Sequence, residues 1–451
     1  MSNGPSCAMT QADLASLVRP GQSVYLAGGL TPPVPFIEAL QREPEAARGL
    51  DITTPIAPGI AFPIDFKRLH PSAVVSGLFM QPELREAQQQ RRFRLLPMSF
   101  GGFLRHLQTR RFDLGVIQVA PPDAYGRCSL GPSVEFTPLA LTRCSRVLAL
   151  INPRLPSLSY APSLPLAGFA HTCEIDLPLP EYIVDSDEPT RAIAAHIAPL
   201  LTDGITLQTG LGKVPTALAQ ALRGHRRLRI HSGMISDGLM ELAEAGALDA
   251  DAVHCAGVAA GTARLYDWLR DPGCLGGGRS LQDPGSVSGA RGLRDPSCRD
   301  GARGLRLAGC EDTHGPAALA ALERFVAVNS ALEVDLLGQC NLEHIGGRAV
   351  SGAGGAPDFA RAARVSPGGM SIVALNATYR SGQASRIVAS LDTTAVSSLA
   401  RVDVDIVVTE YGVADLRAAS VHERAAALIA IAAPHFRDDL ERAWAARAAS
   451  L

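Results

Sequence analysis

The sequence predicts an α/β protein of two tandem halves, each built on a mainly parallel sheet covered by helices. Three observations lead there. Short apolar, strand-like runs alternate with helical patterns along the whole chain. One strand, glycine turn and helix unit is spelled twice, as GQSVYLAGGLTPPVPFIEAL at 21–40 and DGITLQTGLGKVPTALAQAL at 203–222. At 451 residues the chain is long enough for two or three domains with their own cores.

In chain order, the candidate strands are 23–27, 114–119 and 147–151 in the first half and 205–207, 371–375 and 405–408 in the second. Between them lies EYIVDSDEPT at 181–190, polar and Pro-containing, with a helical run expected from Arg191. The domain boundary is placed there, giving halves of 1–185 and 186–451. Ser420-Val-His-Glu423 reads as a capping box opening an Ala-rich helix, and Pro434 is expected to end it. Residues 271–310 stand apart, with GGG at 276–278, GARGLR twice, and RDPGC echoed as RDPSC. Such a composition buries too little apolar surface to offset its ordering entropy, so a disordered insertion is expected.

Composition excludes several classes. With 47% apolar and 19% charged residues and a net charge of -2, nothing points to nucleic acid. No run of 18 or more apolar residues suggests a membrane span. The N-terminus lacks the charged and apolar regions of a signal peptide, which makes a cytoplasmic location the default. Nine cysteines form no CxxC pair, so neither a disulfide framework nor a zinc site is expected. His231, His171 and His344 have no partner spacing for a triad or a metal, and read as structural.

The residues that could carry chemistry sit in glycine loops. Glycine between a strand and a helix permits a tight turn and brings unpaired helix N-terminal amides up to an anionic group. Gln208, Gly210, Gly212 and Lys213 make one such turn; Lys213, one of only two lysines, either reaches a ligand phosphate or is a solvated turn residue. Gly352, Gly354 and Gly355 make a second, able to form a nest of N–H donors. VIQVAPPDAYGRCSLG at 116–131 and VDIVVTEYGVA at 404–414 are strands running into loops at carboxyl ends, where open α/β sheets bind ligands. Glu410 in the latter is either catalytic or a turn-orienting residue.

In order along the chain, QTGLGKVPTAL, HSGMISDG, SALEVDLLGQCN, SGAGGAPDFARAA, SRIV and VTEYGVADLR resemble the acetyl-CoA hydrolase/transferase family, which includes 4-hydroxybutyrate CoA-transferase. VIQVAPPDAYGRCSLG resembles the family's Pro-Asp-x-x-Gly stretch, so the likeness covers nearly everything outside 271–310. The resemblance implies two tandem CoA-transferase-type α/β domains, a homodimer, coenzyme A and acyl-CoA as substrates with no permanently bound cofactor, and a small carboxylic acid as a possible acceptor. It also implies that Gly210, Gly212, Gly352, Gly354 and Gly355 line the CoA and thioester region. In such transferases a glutamate attacks the thioester, forming an anhydride and then a glutamyl-CoA thioester.

At that position this chain departs from the pattern. Where the family has His-Thr-Glu-Met followed by Ser-Asp-Gly, it reads His231-Ser232-Gly233-Met234-Ile235-Ser236-Asp237-Gly238, so Gly233 stands where the glutamate is expected. Ala356 and Pro357 likewise replace the family's common Gln and Val. Three readings follow: an acyl-CoA enzyme without the glutamyl intermediate, a transferase using Glu241, Glu333 or Glu410 instead, and a CoA-binding homologue without turnover. A phosphosugar isomerase fits the motif order less well.

Overall fold

The computed structural model describes residues 7–57, 59–60, 65–271, 287–288, 293–294 and 304–449. It divides into two compact units, one of Met1–Ile183 with Ala250–Gly315, the other of Val184–Asp249 with Pro316–Leu451.

The first unit contains Cys7–Met9 (β1), Ser23–Leu26 (β2), Asp51–Thr53 (β3), Val74–Gly77 (β4), Phe93–Leu95 (β5), Phe112–Val119 (β6), Arg127–Ser129 (β7), Cys144–Ile151 (β8), Ser163–Pro165 (β9) and His171–Glu174 (β10). Eight of them form a sheet in the order β1-β10-β8-β6-β2-β3-β4-β5. Every pair in it is parallel. Seven of the eight β6 residues are buried, as expected for a strand covered on both faces. Each large apolar side chain so buried contributes about 1.5–3 kcal/mol relative to exposure.

The chain then enters the second unit for Thr206–Thr209 (β11) and Arg229–Ile235 (β12), and returns to the first for Val253–Ala259 (β13), Val287–Ser288 (β14), Leu293–Arg294 (β15) and Gly304–Leu307 (β16). This return divides the expected 186–451 half. The backbone explains it: β13 and β16 pair in parallel, Ser133 bridges Val258, and the Cys310 amide donates to the Glu135 carbonyl at 2.8 Å.

Within 271–310 the described residues include three short strands. Strands β14 and β15 pair antiparallel, β15 adds to β9, and β16 is a regular strand. In β16, Leu305 and Leu307 are buried. The rest of that stretch, 272–286, 289–292 and 295–303, where disorder is expected, lies outside the described residues.

The second unit continues with Phe325–Ser330 (β17), Glu333–Asp335 (β18), Cys340–Asn341 (β19), His344–Ile345 (β20), Arg348–Ala349 (β21), Met370–Ala374 (β22), Thr378–Tyr379 (β23), Ala384–Ser385 (β24), Ile387–Val388 (β25), Ile406–Thr409 (β26) and Gly412–Asp415 (β27). Its main strands run β12-β11-β17-β22-β26-β27, parallel except for β27. All six strands expected from sequence are present.

The twice-spelled unit occupies the same topological place in both sheets. From β2 the chain moves outward through β3, β4 and β5, then returns to the other side of β2 with β6. From β11 it moves out to β12, then returns to the other side of β11 with β17. Each copy therefore delivers its glycine turn to the switch point of an open sheet, outside the strands' carboxyl ends.

Two boundaries differ from expectation. The Glu188–Ile197 helix begins three residues before Arg191 because Asp187 and Thr190 close a capping box. The Val421–Ala430 helix has the expected Ser420–Glu423 box, but it stops before Pro434. Pro434 instead opens the Pro434–Ala448 helix, where its missing N–H costs nothing.

Candidate active site

The first glycine turn follows β11. Gln208 is buried and exchanges hydrogen bonds with Asn329 of β17: its Nε2 donates to Asn329 Oδ1 at 3.5 Å, and Asn329 Nδ2 donates to its Oε1 at 3.2 Å. The amide pair ties together the two strands at the switch point. Beyond it the backbone lies open, since a Cβ on Gly210 would meet nothing within 4 Å and one on Gly212 would touch only Pro215 Cδ at 4.0 Å. Gly212 has φ of 126°, which a side-chain-bearing residue rarely adopts, and it caps the Lys213–Ala221 helix. The turn thus leaves open space beside both glycines where the Lys213–Ala221 helix begins.

Lys213 is engaged elsewhere. Its Nζ lies 2.7 Å from Asp187 Oδ2, and this bond is the chief reason the Asp187 carboxyl is held down at about 2. The lysine consequently ties the start of its own helix to the cap of the Glu188–Ile197 helix.

Next to this turn runs β12 with Gly233. The buried Ser232 hydroxyl lies 2.5 Å from the Thr209 carbonyl and 2.7 Å from that of Met234, anchoring the strand on either side of Gly233. Gly233 and Met234 are half-buried, as are Ser236 and Asp237 at the start of the Asp237–Glu244 helix. Between that helix and Lys213–Ala221 lies a largely apolar cleft of 380 Å³, including space open to solvent, with Thr209, Ser236 and Gly238 in its wall.

Gly238 lets the two helices meet. A Cβ there would stand 2.6 Å from the Ala219 Cβ, with no flexible side chain to yield. Gly238→Ala should therefore cost stability despite the better helix propensity of alanine, by about 1 kcal/mol net, from about 1–3 kcal/mol of overpacking less about 1 kcal/mol of propensity. Urea denaturation checks this; an unchanged midpoint contradicts the close contact.

The second glycine loop runs into the Ala356–Val365 helix. Gly354 takes φ of 57°, Gly355 is the N-cap, and its carbonyl accepts from the Phe359 amide at 3.1 Å. Gly352 and Gly355 are half-buried and Gly354 is buried.

Glu333 and Glu410 converge on a residue that sequence reading did not single out. Glu410, one residue past β26, accepts from the Ala377 amide at 2.8 Å. The Ala377 carbonyl accepts from the Arg386 amide at 2.8 Å, and the Arg386 carbonyl accepts from the Val334 amide at 2.8 Å. Glu333 in turn accepts from Asn341 Nδ2 at 3.1 Å. Burial pulls Arg386 below the usual arginine value, while Tyr379, Glu333 and Glu410 push it back up. Both glutamates thus act on one arginine, and each has one oxygen committed to a donor. Glu241 is paired with Arg223 at 2.7 Å.

The histidines are dispersed. His231 packs edge-on to Phe325, and the carbonyl of His344 accepts from Asn341 Nδ2 at 2.7 Å. Among the described residues no three His, Cys, Asp or Glu side chains gather as a metal site. Asn329, Asn341, Tyr379 and Arg386 were the residues missed. Asn341 and Arg386 lie inside GQCN and SRIV, but a short motif does not show which of its side chains turns toward a distant segment.

Comparison with known proteins agrees with this architecture. Residues 298–444 match the acetyl-CoA hydrolase/transferase C-terminal domain. The chain is 31% identical over 453 aligned positions to the 4-hydroxybutyrate coenzyme A transferase of Clostridium kluyveri, covering 96% of each chain. Among solved structures, a 4-hydroxybutyrate CoA-transferase of Porphyromonas gingivalis matches with a TM-score of 0.74 and 26% identity, covering 98% of both chains. RipA of Yersinia pestis shares the fold, with a TM-score of 0.81 and 23% identity over 98% of this chain and 97% of that one. On the likeness to the C. kluyveri protein along nearly the whole of both sequences, this chain belongs to the acetyl-CoA hydrolase/transferase family.

Proposed function

We infer that this acyl-CoA-utilising enzyme, a CoA-transferase or acyl-CoA hydrolase, works without a glutamyl-CoA intermediate. The reading is supported by Gly233 in HSGMISDG, which we read as standing at the family's glutamate position, beside a glycine turn with open space at Gly210 and Gly212. The scaffold for the thioester is retained and the attacking side chain is gone.

In hydrolysis, water attacks the thioester carbonyl and the carbon–sulfur bond breaks, releasing the acid and CoA thiol. In transfer, the acceptor's carboxylate attacks instead, giving a mixed anhydride and CoA thiolate. The thiolate then attacks the acceptor's carbonyl, forming the new thioester and releasing the original acid. The amides of Gly210 and Gly212 and those of Gly352, Gly354 and Gly355 are suited to CoA and to the oxyanion formed at the carbonyl. Glu333 and Glu410, each already accepting a hydrogen bond, orient the site rather than attack. A small carboxylic acid as acceptor, a homodimeric assembly and a cytoplasmic location complete the reading.

Incubation with a panel of acyl-CoAs and a thiol reagent, with and without acetate or succinate, tests it. Thiol release without any added acid is expected. Strict dependence on the acid, with a trappable glutamyl-CoA adduct, would overturn the reading in favour of another carboxylate nucleophile. CoA binding with no release would favour a homologue without turnover.

A further inference from the structure

The hairpin of β23 and β24 carries two guanidinium groups on one aromatic ring. Arg386 Cζ lies 5.1 Å from the Tyr379 ring centroid and Arg380 Cζ lies 5.4 Å from it. Stacking fixes a guanidinium's plane while leaving its in-plane N–H donors to meet a ligand.

Arg386 is half-buried, and its Nη1 donates to the Leu332 carbonyl at 2.7 Å. No carboxylate among the described residues pairs with it, although Glu333 and Glu410 are near enough to raise its pKa. A half-buried guanidinium with spare donors is suited to an anion that can use them.

The turn presenting Arg380 gives an independent indication. Arg380 and Ser381 both adopt left-handed backbone, with φ of 52° and 53°, ahead of Gly382 at 85°. Two consecutive residues with side chains in that region cost on the order of 1–3 kcal/mol each, a kind of strain that gathers at ligand sites.

We propose that Arg386 and Arg380, braced on Tyr379, form the subsite that receives the carboxylate of the acceptor acid. The proposal rests on the acyl-CoA reading above and names the residues that position its second substrate. Shape favours a carboxylate over a phosphate of CoA, since its planar, two-oxygen group matches the guanidinium fork.

The full-length protein is titrated with sodium butyrate, butyramide and CoA at constant ionic strength, with binding followed by calorimetry. Saturable butyrate binding is expected, with none for the uncharged amide. Arg386→Gln should weaken butyrate at least tenfold and leave CoA within twofold. Arg386→Lys, which keeps the charge and loses the fork, should fall between, and Arg380→Gln should weaken butyrate about threefold. Unchanged butyrate affinity in folded Arg386→Gln overturns the proposal, as does a loss confined to CoA, which would assign the arginine to a phosphate. Should Arg386→Gln fail to fold, the exposed Arg380 decides, and unchanged butyrate affinity in its variant overturns the proposal. Failure of the acyl-CoA reading is separable, since it would leave arginine-dependent butyrate binding without thiol release.

Discussion

Gly233→Glu is expected to raise acceptor-dependent acyl transfer by on the order of tenfold or more and to leave CoA covalently attached in mid-reaction. Ser232 anchors β12 just before the site through the Thr209 and Met234 carbonyls, so the strand should hold its course when the side chain is added. Gly233 is half-buried on a strand next to the open turn of Gly210 and Gly212. A carboxylate placed there would divide one exchange into two easier steps. Intact-mass measurement during turnover detects the adduct, and Gly233→Ala controls for the loss of glycine alone. A folded glutamate variant with neither faster transfer nor an adduct would show that the surroundings no longer accept a covalent route.

The second large effect concerns stability in the first unit. Glu135 is 4% exposed and takes φ of 43°. Its backbone is held by Gly257 and Cys310, and a Cβ on Gly29 would come within 3.2 Å of its carboxyl group. Burial raises its pKa from 4.5 to about 8, so the folded protein keeps this carboxyl protonated where the unfolded chain ionises it. The folded state then binds more protons than the unfolded one between those two values, and stability falls as pH rises. The stability is fully present below about 4.5 and declines by about 1.4 kcal/mol per pH unit until about 8.

Glu135→Gln removes the ionisation and keeps the shape. Its stability should match the wild type near pH 5 and exceed it by about 3–5 kcal/mol at pH 8. Denaturant unfolding of both proteins across that range is the measurement. Parallel curves would mean that Glu135 ionises in the fold as readily as outside it.

The features legible in the sequence are those set by neighbours along the chain. Apolar runs became β6, β8 and β22 because a strand's burial is written in its own residues. The Ser420 cap was readable because both partners lie within one turn. Lys213 was open to two readings because its partner, Asp187, lies 26 positions away on another helix. Pro434 was misplaced because proline after a helix and proline opening the next are the same letter.

By itself the sequence determined the α/β class, the repeated glycine turn, the family likeness and the glycine at 233. The tertiary structure decided three further matters. It placed both copies of the turn at the switch points of their sheets. It returned 250–315 to the first unit. It gathered Glu333, Arg386 and Glu410 from three separated segments. Those outcomes depend on which strands become neighbours, and strand pairing is settled by the burial and hydrogen bonding of the whole sheet rather than by any one stretch of residues.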